Sequence, residues 1–140
     1  MNNIHLSTRH MTPEELQRTQ RGFDEHSLQQ GVQVQTAERL SITALHEGTF
    51  IGCASGLAYQ NGASSNGWFY LTDLFLEQAY RQQGLGRAML LQLEEQARSI
   101  GVEQIWTWTA GYEAPGFYQK LGYVIFAEME NWYSNGSSRV

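Results

Sequence analysis

Residues 68–101 constrain the fold of this chain more than any other stretch. Residues 68–76, Trp-Phe-Tyr-Leu-Thr-Asp-Leu-Phe-Leu, are rich in aromatic and large apolar side chains, which is typical of a β-strand. A turn with two glycines, Gly84 and Gly86, follows the predicted strand. Apolar residues then recur every four positions, which predicts a helix from Ala88 to Ile100 that is closed by Gly101.

The glycine turn between this strand and this helix is suited to bind a phosphate. The first N–H groups of a helix have no partner within the helix, and the helix dipole adds partial positive charge there. Glycines leave these donors uncovered. The chain lacks the Gly-x-x-x-x-Gly-Lys-Ser/Thr run of nucleoside triphosphate-binding loops, and Met89 stands where a dinucleotide-binding turn needs a third glycine. The turn therefore indicates an anion site of another class.

Two motifs together resemble the GNAT superfamily of acetyl-CoA-dependent N-acetyltransferases. Residues 81–86 resemble its pyrophosphate loop, Arg/Gln-x-x-Gly-x-Gly/Ala, and residues 116–123 resemble its Phe-Tyr-x-Lys-x-Gly-Phe signature. The resemblance covers about residues 38–130. It implies an α/β fold (α+β in some schemes), a three-layer α/β/α sandwich with a mixed, mainly antiparallel sheet of about six or seven strands. Residues 1–140 would form a single acetyltransferase domain.

The resemblance also implies how acetyl-CoA would be held. The N–H groups of the turn would bind the pyrophosphate, and the backbone at the end of the preceding strand would pair with the pantetheine arm and polarise the thioester carbonyl. Arg81 and Arg87 would add charge near the phosphates. The cofactor-binding candidates are Leu74, Phe75, Leu76, Arg81, Gln82, Gln83, Gly84, Leu85, Gly86 and Arg87.

The same resemblance makes Tyr118 the residue that would protonate the departing thiolate, because a positioned phenol can act as a general acid. The resemblance leaves the general base open, since family members often place a glutamate where this chain has Thr72. Asp73 beside it is the catalytic candidate, and a proton relayed by water, Glu113 or Glu128 are the alternatives. Direct attack of an amine on a thioester needs no metal.

The implied function is transfer of an acetyl group from acetyl-CoA to an amine of a small molecule or peptide, by direct attack with both substrates bound. Two alternatives stay open. One is a non-catalytic acyl-CoA-binding module that acts as a sensor or interaction domain. The other is an acyltransferase with a different acceptor or acyl group.

Composition limits the partners. The chain has 140 residues and a net charge of −5, without a long basic run, which argues against nucleic acid and anionic membranes as partners. Its single cysteine, Cys53, cannot form an internal disulfide, and no apolar signal segment opens the chain, so a cytoplasmic protein is expected. No basic residue lies near Cys53 in the sequence, so a core thiol is favoured over a nucleophile.

Before the central stretch, capping residues predict an N-terminal helix. Thr12 is suited as N-cap, Glu15 closes a capping box, and the helix should run to about Gln30 with Gly31 ending it and Gly22 kinking or splitting it.

Several shorter elements are predicted on either side of the central stretch. They are an edge strand at 4–7, a hairpin at 40–59, a flexible loop at 60–67, strands at 103–109 and 123–129, a short helix at 114–121, and a polar loop at 131–138. By the resemblance a final strand is expected, and here it is short or absent; the open sheet edge that results favours a homodimer.

Overall fold

The computed structural model describes residues 3–140. The molecule divides into two compact units, which meet in the sequence between Gln35 and Thr36. Helix α1 lies in the first unit, and the sheet and the other helices lie in the second. Among residues 3–140, no helix has both the length and the apolar character that a membrane span requires.

Helix α1 runs over Pro13–Gln29, as its capping residues predict. The Thr12 hydroxyl accepts a hydrogen bond from the Glu15 N–H at 3.2 Å, and the Glu15 carboxylate accepts one from the Thr12 N–H at 2.8 Å. The helix is not split at Gly22, and Gly31 follows it with a φ of 76°. The predicted edge strand at residues 4–7 does not form.

The second unit contains a four-stranded sheet. Its strands are β1 (Gln35–His46), β2 (Thr49–Asn61), β3 (Ser64–Leu76) and β4 (Gln104–Trp106). They lie in the order β1-β2-β3-β4, with β2 antiparallel to β3 and β3 parallel to β4. The sheet is therefore mixed, as predicted, although it has four strands where six or seven were expected.

Three predicted segments differ from the structure. Residues 60–67 are not a flexible loop, because a tight turn at Gly62 joins β2 directly to β3. The strand predicted at 103–109 is shorter, since its ladder with β3 ends at Trp106. The strand predicted at 123–129 is wrong: of these residues only Met129 forms a β-bridge, and its partner is Arg139.

Two helices and a one-turn 3-10 helix complete the second unit. The 3-10 helix is Gln78–Tyr80, α2 is Leu85–Ser99 and α3 is Pro115–Lys120. Helix α2 connects the two parallel strands β3 and β4 and therefore forms a crossover connection.

The core lies where α2 packs on the sheet. Phe69 and Leu71 of β3 and Leu90 and Leu93 of α2 are its largest fully buried side chains. Burying a side chain of this size contributes about 1.5–3 kcal/mol. Gly56 on β2 permits the close packing, because a Cβ there would stand 2.3 Å from the Phe69 ring. The core therefore fixes β3, and with it the residues at the end of that strand.

The C-terminal residues join the same unit through a few backbone hydrogen bonds. Val140 exchanges two hydrogen bonds with Thr109, at 2.8 and 3.0 Å, and Arg139 exchanges two with Met129, at 2.7 and 2.9 Å. The last residues therefore lie between the chain at 109 and the chain at 129.

Candidate active site

The turn at residues 81–87 forms the exposed N-terminal end of α2. Gly84 is the N-cap, with a φ of 80° that favours glycine, and no side chain caps this end of the helix. The first helical hydrogen bond runs from the Ala88 N–H to the Gly84 carbonyl at 3.0 Å. The N–H groups before Ala88 thus lack intrahelical partners, and no atom lies within 4 Å of a Cβ built at Gly84. The end of α2 is open to an anion.

The two arginines of the turn differ in their contacts. Arg81 donates from Nε to the Leu76 carbonyl at 2.9 Å, which ties the turn back to the end of β3. Arg87 is exposed at the start of α2. Arg81, which was predicted to add charge near the phosphates, thus also holds the turn against the end of β3.

Strand β3 has an unpaired edge beyond Tyr70. Its parallel ladder with β4 ends at the pair Tyr70–Trp106, and the Thr107 hydroxyl donates to the Leu71 carbonyl at 2.8 Å. Among the described residues, no strand continues the ladder on this side of the segment 72–76, while β2 pairs with its other side. The predicted cofactor residues Leu74, Phe75 and Leu76 lie in this segment. An extended chain could add to the free edge as a strand does.

The second sequence motif lies against the first. Phe117 lies in the first turn of α3, and its ring atoms are 3.7 and 3.8 Å from the position that a Gly86 Cβ would occupy. The Tyr123 hydroxyl donates to the Glu94 carboxylate of α2 at 2.9 Å. The motif at 116–123 is therefore attached to α2 at both ends.

Tyr118 is half-buried beside the rings of Phe117 and Tyr123. Burial and then the nearby charge of Glu113 raise the pKa of Tyr118 to about 12. Within residues 3–140 its hydroxyl makes no hydrogen bond, and the side chain lines a cavity of about 1440 Å³. The phenol is thus protonated at neutral pH and has its donor available.

That cavity lies between the chain at 105–109 and the chain at 122–129. Its lining is mainly apolar and aromatic, including Trp106, Trp108 and Phe126. Neither Asp73 nor the turn at 81–87 belongs to its lining. Of the predicted site residues, only Tyr118 lines this cavity.

Asp73 lies on β3 in a polar cluster. Thr72 is an extra residue in the β3 ladder, since Ser55 pairs with Asp73 and Gly56 pairs with Leu71. The Thr72 hydroxyl lies 2.7 Å from Asp73 Oδ2, and the Arg39 guanidinium lies 3.9 Å from the same oxygen. The Asp73 side chain is 60% exposed, so it can meet a substrate.

The remaining candidates are the cysteine, the two alternative bases and a metal site. Cys53 is half-buried opposite Phe75, and burial, followed by the charge of Asp73, raises the pKa of its thiol. The thiol therefore stays protonated, in agreement with the prediction that it is not a nucleophile. Glu113 and Glu128, the alternative bases, are exposed. Among residues 3–140, no group of three or more His, Cys, Asp or Glu could hold a metal ion.

Arg39 and Ser55 were missed in the sequence. Arg39 and Ser41 alternate on β1 with Leu40 and Ile42, which belong to or pack against the core, so a period of two places them on the other face. That signal was available. The 33-residue separation between Arg39 and Thr72 hid their hydrogen bond.

Comparisons with known proteins agree with this geometry. The profile of the acetyltransferase (GNAT) family matches residues 6–123. The chain belongs to this family, whose members are acetyltransferases.

Two curated relatives share its sequence in part. A blasticidin-S acetyltransferase of Streptomyces morookaense is 33% identical over 69 residues, which are 46% of this chain and 48% of the relative. An L-ornithine N5-acetyltransferase of Arabidopsis thaliana is 33% identical over 63 residues, which are 43% of this chain and 27% of the relative. The matches thus span half or less of these relatives.

Solved structures share the fold. An acetyltransferase from Bacillus cereus superposes with a TM-score of 0.79 at 21% identity, covering 99% of this chain and 95% of the other. An aminoglycoside 6'-N-acetyltransferase complexed with coenzyme A gives a TM-score of 0.58 at 22% identity, covering 73% of this chain and 69% of the other. At these identities the likeness supports the α/β fold alone.

Proposed function

We propose that this chain transfers an acetyl group from acetyl-CoA to an amine of a small molecule or peptide, with both substrates bound at once. The observation that carries the proposal is the uncapped, exposed N-terminus of α2, which follows the free edge of β3 with only the 3-10 helix and the glycine turn between them. The helix N-terminus offers a site for a diphosphate, and the free strand edge offers backbone groups that can pair with an extended ligand. A single acetyltransferase domain over residues 1–140 is part of the proposal.

Acetyl-CoA would lie along both features. The N–H groups of residues 82–87 would hold the diphosphate, because an anion at a helix N-terminus gains hydrogen bonds and the helix dipole. The amide-rich pantetheine arm would pair with the free edge at residues 74–76. An N–H of that edge would then face the thioester carbonyl and stabilise the charge that develops on its oxygen.

The reaction would proceed in one attack. Asp73 takes one proton from the ammonium, directly or through water, and leaves a neutral amine. The nitrogen bonds to the thioester carbon, the C–S bond breaks, and the remaining extra proton on nitrogen leaves to solvent. Tyr118 donates its proton to the sulfur and recovers one from solvent. The products are the amide and free coenzyme A, and no acyl-enzyme forms.

The surroundings of Tyr118 suit this role. A pKa of about 12 lies above the ordinary pKa of a thiol, about 8.5, so transfer of the proton to a thiolate in water would be uphill, and the hydroxyl serves the sulfur first as a hydrogen-bond donor. The desolvation that raises the pKa of Tyr118 also destabilises a thiolate in the same site and raises its pKa, so the difference between the two pKa values becomes smaller. The phenol would therefore give its proton to the sulfur only as the C–S bond breaks and negative charge develops there.

The acceptor can be sought among primary amines of different size. The two relatives are named for ornithine and blasticidin S, so a panel should contain an amino acid with a side-chain amine, an amine-bearing nucleoside, an aminoglycoside, a polyamine and a peptide. Release of free thiol from acetyl-CoA would be measured with each amine and without any. Release that depends on one amine supports the proposal.

Two other results would point elsewhere. Tight binding of acetyl-CoA in calorimetry with no turnover on any acceptor would support the non-catalytic module. Absence of binding would refute the diphosphate site and the proposal with it.

The proposal also places the protein in the reducing cytoplasm, where one unpaired cysteine is stable. A homodimer is proposed as its assembly. Light scattering on the purified chain distinguishes one copy from two.

A further inference from the structure

Five polar side chains meet on one face of the sheet, and the proposed base is one of them. They come from three neighbouring strands and are Arg39, Ser41, Ser55, Thr72 and Asp73. We propose that Arg39 is a positioning residue that holds the Asp73 carboxylate through Thr72. This inference rests on the proposed function, in which Asp73 accepts the proton of the amine.

The contacts of Arg39 show that it acts indirectly. Its Nη1 atom is 2.9 Å from the Ser55 hydroxyl and 2.9 Å from the Thr72 hydroxyl. A guanidinium nitrogen of this kind carries two hydrogens, so both are used. Asp73 Oδ2 lies 3.9 Å from the same nitrogen, which is too far for a hydrogen bond. The arginine therefore reaches the carboxylate by way of Thr72.

The Thr72 hydroxyl has one hydrogen and two acceptors. Its oxygen lies 2.7 Å from Asp73 Oδ2 and 3.1 Å from the Ser55 carbonyl oxygen. Because the Arg39 N–H occupies a lone pair of the hydroxyl, the hydrogen is directed to one of these acceptors. It bonds the carboxylate while Asp73 is ionised, and it can turn to the Ser55 carbonyl once Asp73 has taken a proton. The cluster thus accommodates both protonation states of a base.

The cluster also holds the irregular part of β3. The extra residue in the ladder is Thr72, and such bulges redirect the side chains next to them. Ser55 is buried, with 7% of its surface exposed, and its hydroxyl lies 2.7 Å from that of Ser41. Arg39 is therefore anchored to a rigid partner on β2 as well as to Thr72.

Substitutions can separate positioning from simple support of the fold. We expect Arg39→Met and Thr72→Val each to lower kcat about tenfold or more, with less than about a twofold change in KM for acetyl-CoA. If Arg39 acts through Thr72, the double variant loses little more than either single one. Arg39→Lys should recover most of the rate, because one ammonium nitrogen can donate to both hydroxyls.

The matched control is Thr43→Val. Thr43 is an exposed residue two positions beyond Ser41 on β1, and it takes no part in the hydrogen bonds of the cluster described above, so the rate of this variant should equal that of the unaltered chain. Losses that add in the double variant, or a full rate in Arg39→Met, would overturn the proposal.

A second measurement is independent of turnover. Three-bond NMR couplings report the χ1 angles of Thr72 and Asp73. We expect one rotamer for each in the unaltered chain and in Arg39→Lys, and averaged couplings in Arg39→Met. Unchanged couplings in Arg39→Met would refute the positioning role. If instead the unaltered chain acetylates no amine while the couplings change as expected, the proposed function fails and the role of Arg39 in holding the carboxylate stands.

Discussion

Tyr118 shows how its surroundings adapt a common side chain to a particular use. Its ring is half-buried beside two other aromatic rings, the residue lines a cavity, and its pKa is raised to about 12. A phenol in that state keeps its proton throughout the neutral range, so its O–H is available to a substrate. The proposed acid role depends on this one hydroxyl.

Removal of the hydroxyl should therefore affect chemistry more than binding. In Tyr118→Phe we expect kcat to fall about 10²-fold, the lower limit for loss of a general acid, with KM for acetyl-CoA changed little. Steady-state kinetics with a fixed acceptor would measure both. A variant as fast as the unaltered chain would remove Tyr118 from the mechanism.

The raised pKa also predicts how stability changes at high pH. Unfolded tyrosine has a pKa near 10, so the folded chain holds this proton more tightly than the unfolded chain does. Tyr118 thus contributes stability that is complete below about pH 10 and is lost as the pH rises through about 12. In Tyr118→Phe, melting temperatures from about pH 9 to 12 should fall less steeply. Equal slopes for the two proteins would show that burial has little effect on this phenol.

A motif can single out individual residues as candidates, whereas packing decides which side chains meet. Tyr118 and the two glycines of the turn became candidates because their order along the chain is itself the signal, and their roles stay predictions. Arg39 could not, because its role comes from strands folded side by side. A pattern in one strand gives the face of a residue but not its neighbour on another strand.

Elements with strong local signals formed as predicted. The capping box of α1, the helix after the glycine turn and the hairpin around Glu47 and Gly48 all appear in the structure. Residues 123–129 have a similarly apolar, strand-like composition, but among residues 3–140 no strand pairs with them. Their apolar side chains stay exposed as a result, with Val124 84% and Phe126 80% exposed. A strand needs a neighbour to pair with, and local sequence does not supply one.

The glycine turn offers a test at the scale of an element. An alanine at Gly84, where φ is 80°, costs about 1–2 kcal/mol in backbone strain and places a methyl group over the proposed diphosphate site. Gly136 has a φ of 83° and equally open surroundings, so Gly136→Ala carries the same strain elsewhere. We expect both variants to lose similar stability, and only Gly84→Ala to lose about tenfold in affinity for coenzyme A, or about 1.4 kcal/mol. Equal affinities in calorimetry would separate the turn from cofactor binding.

At the scale of the whole molecule, the α/β fold and the family were predictable, while the extent of the sheet was not. The two motifs fix a strand, a crossover helix and a short helix, and these contain or contact the fully buried core. The outer part of the sheet depends on long-range pairing near residues 109, 129 and 139, where a few bridges replace a strand. Such pairings follow from the assembled core rather than from local patterns.

Ligand binding should stabilise the molecule as a whole. A ligand at about 100 times its Kd adds about 2.7 kcal/mol, which for a chain of this size raises the melting temperature by roughly 6–10 °C. We expect this shift with coenzyme A and a much smaller one with pantetheine, which lacks the diphosphate. Equal shifts at the same concentration would place the binding energy outside the turn. Gly84→Ala should reduce the coenzyme A shift and leave the pantetheine shift unchanged.

The position of the last residues has a practical consequence for protein production. Arg139 and Val140 are held by backbone hydrogen bonds on two sides, so a purification tag fused directly after Val140 would start between two segments of folded chain. Its first residues would adjoin the cavity that Arg139 and Val140 line. An affinity handle is therefore better attached ahead of α1, since residues 3–12 form no β-bridge.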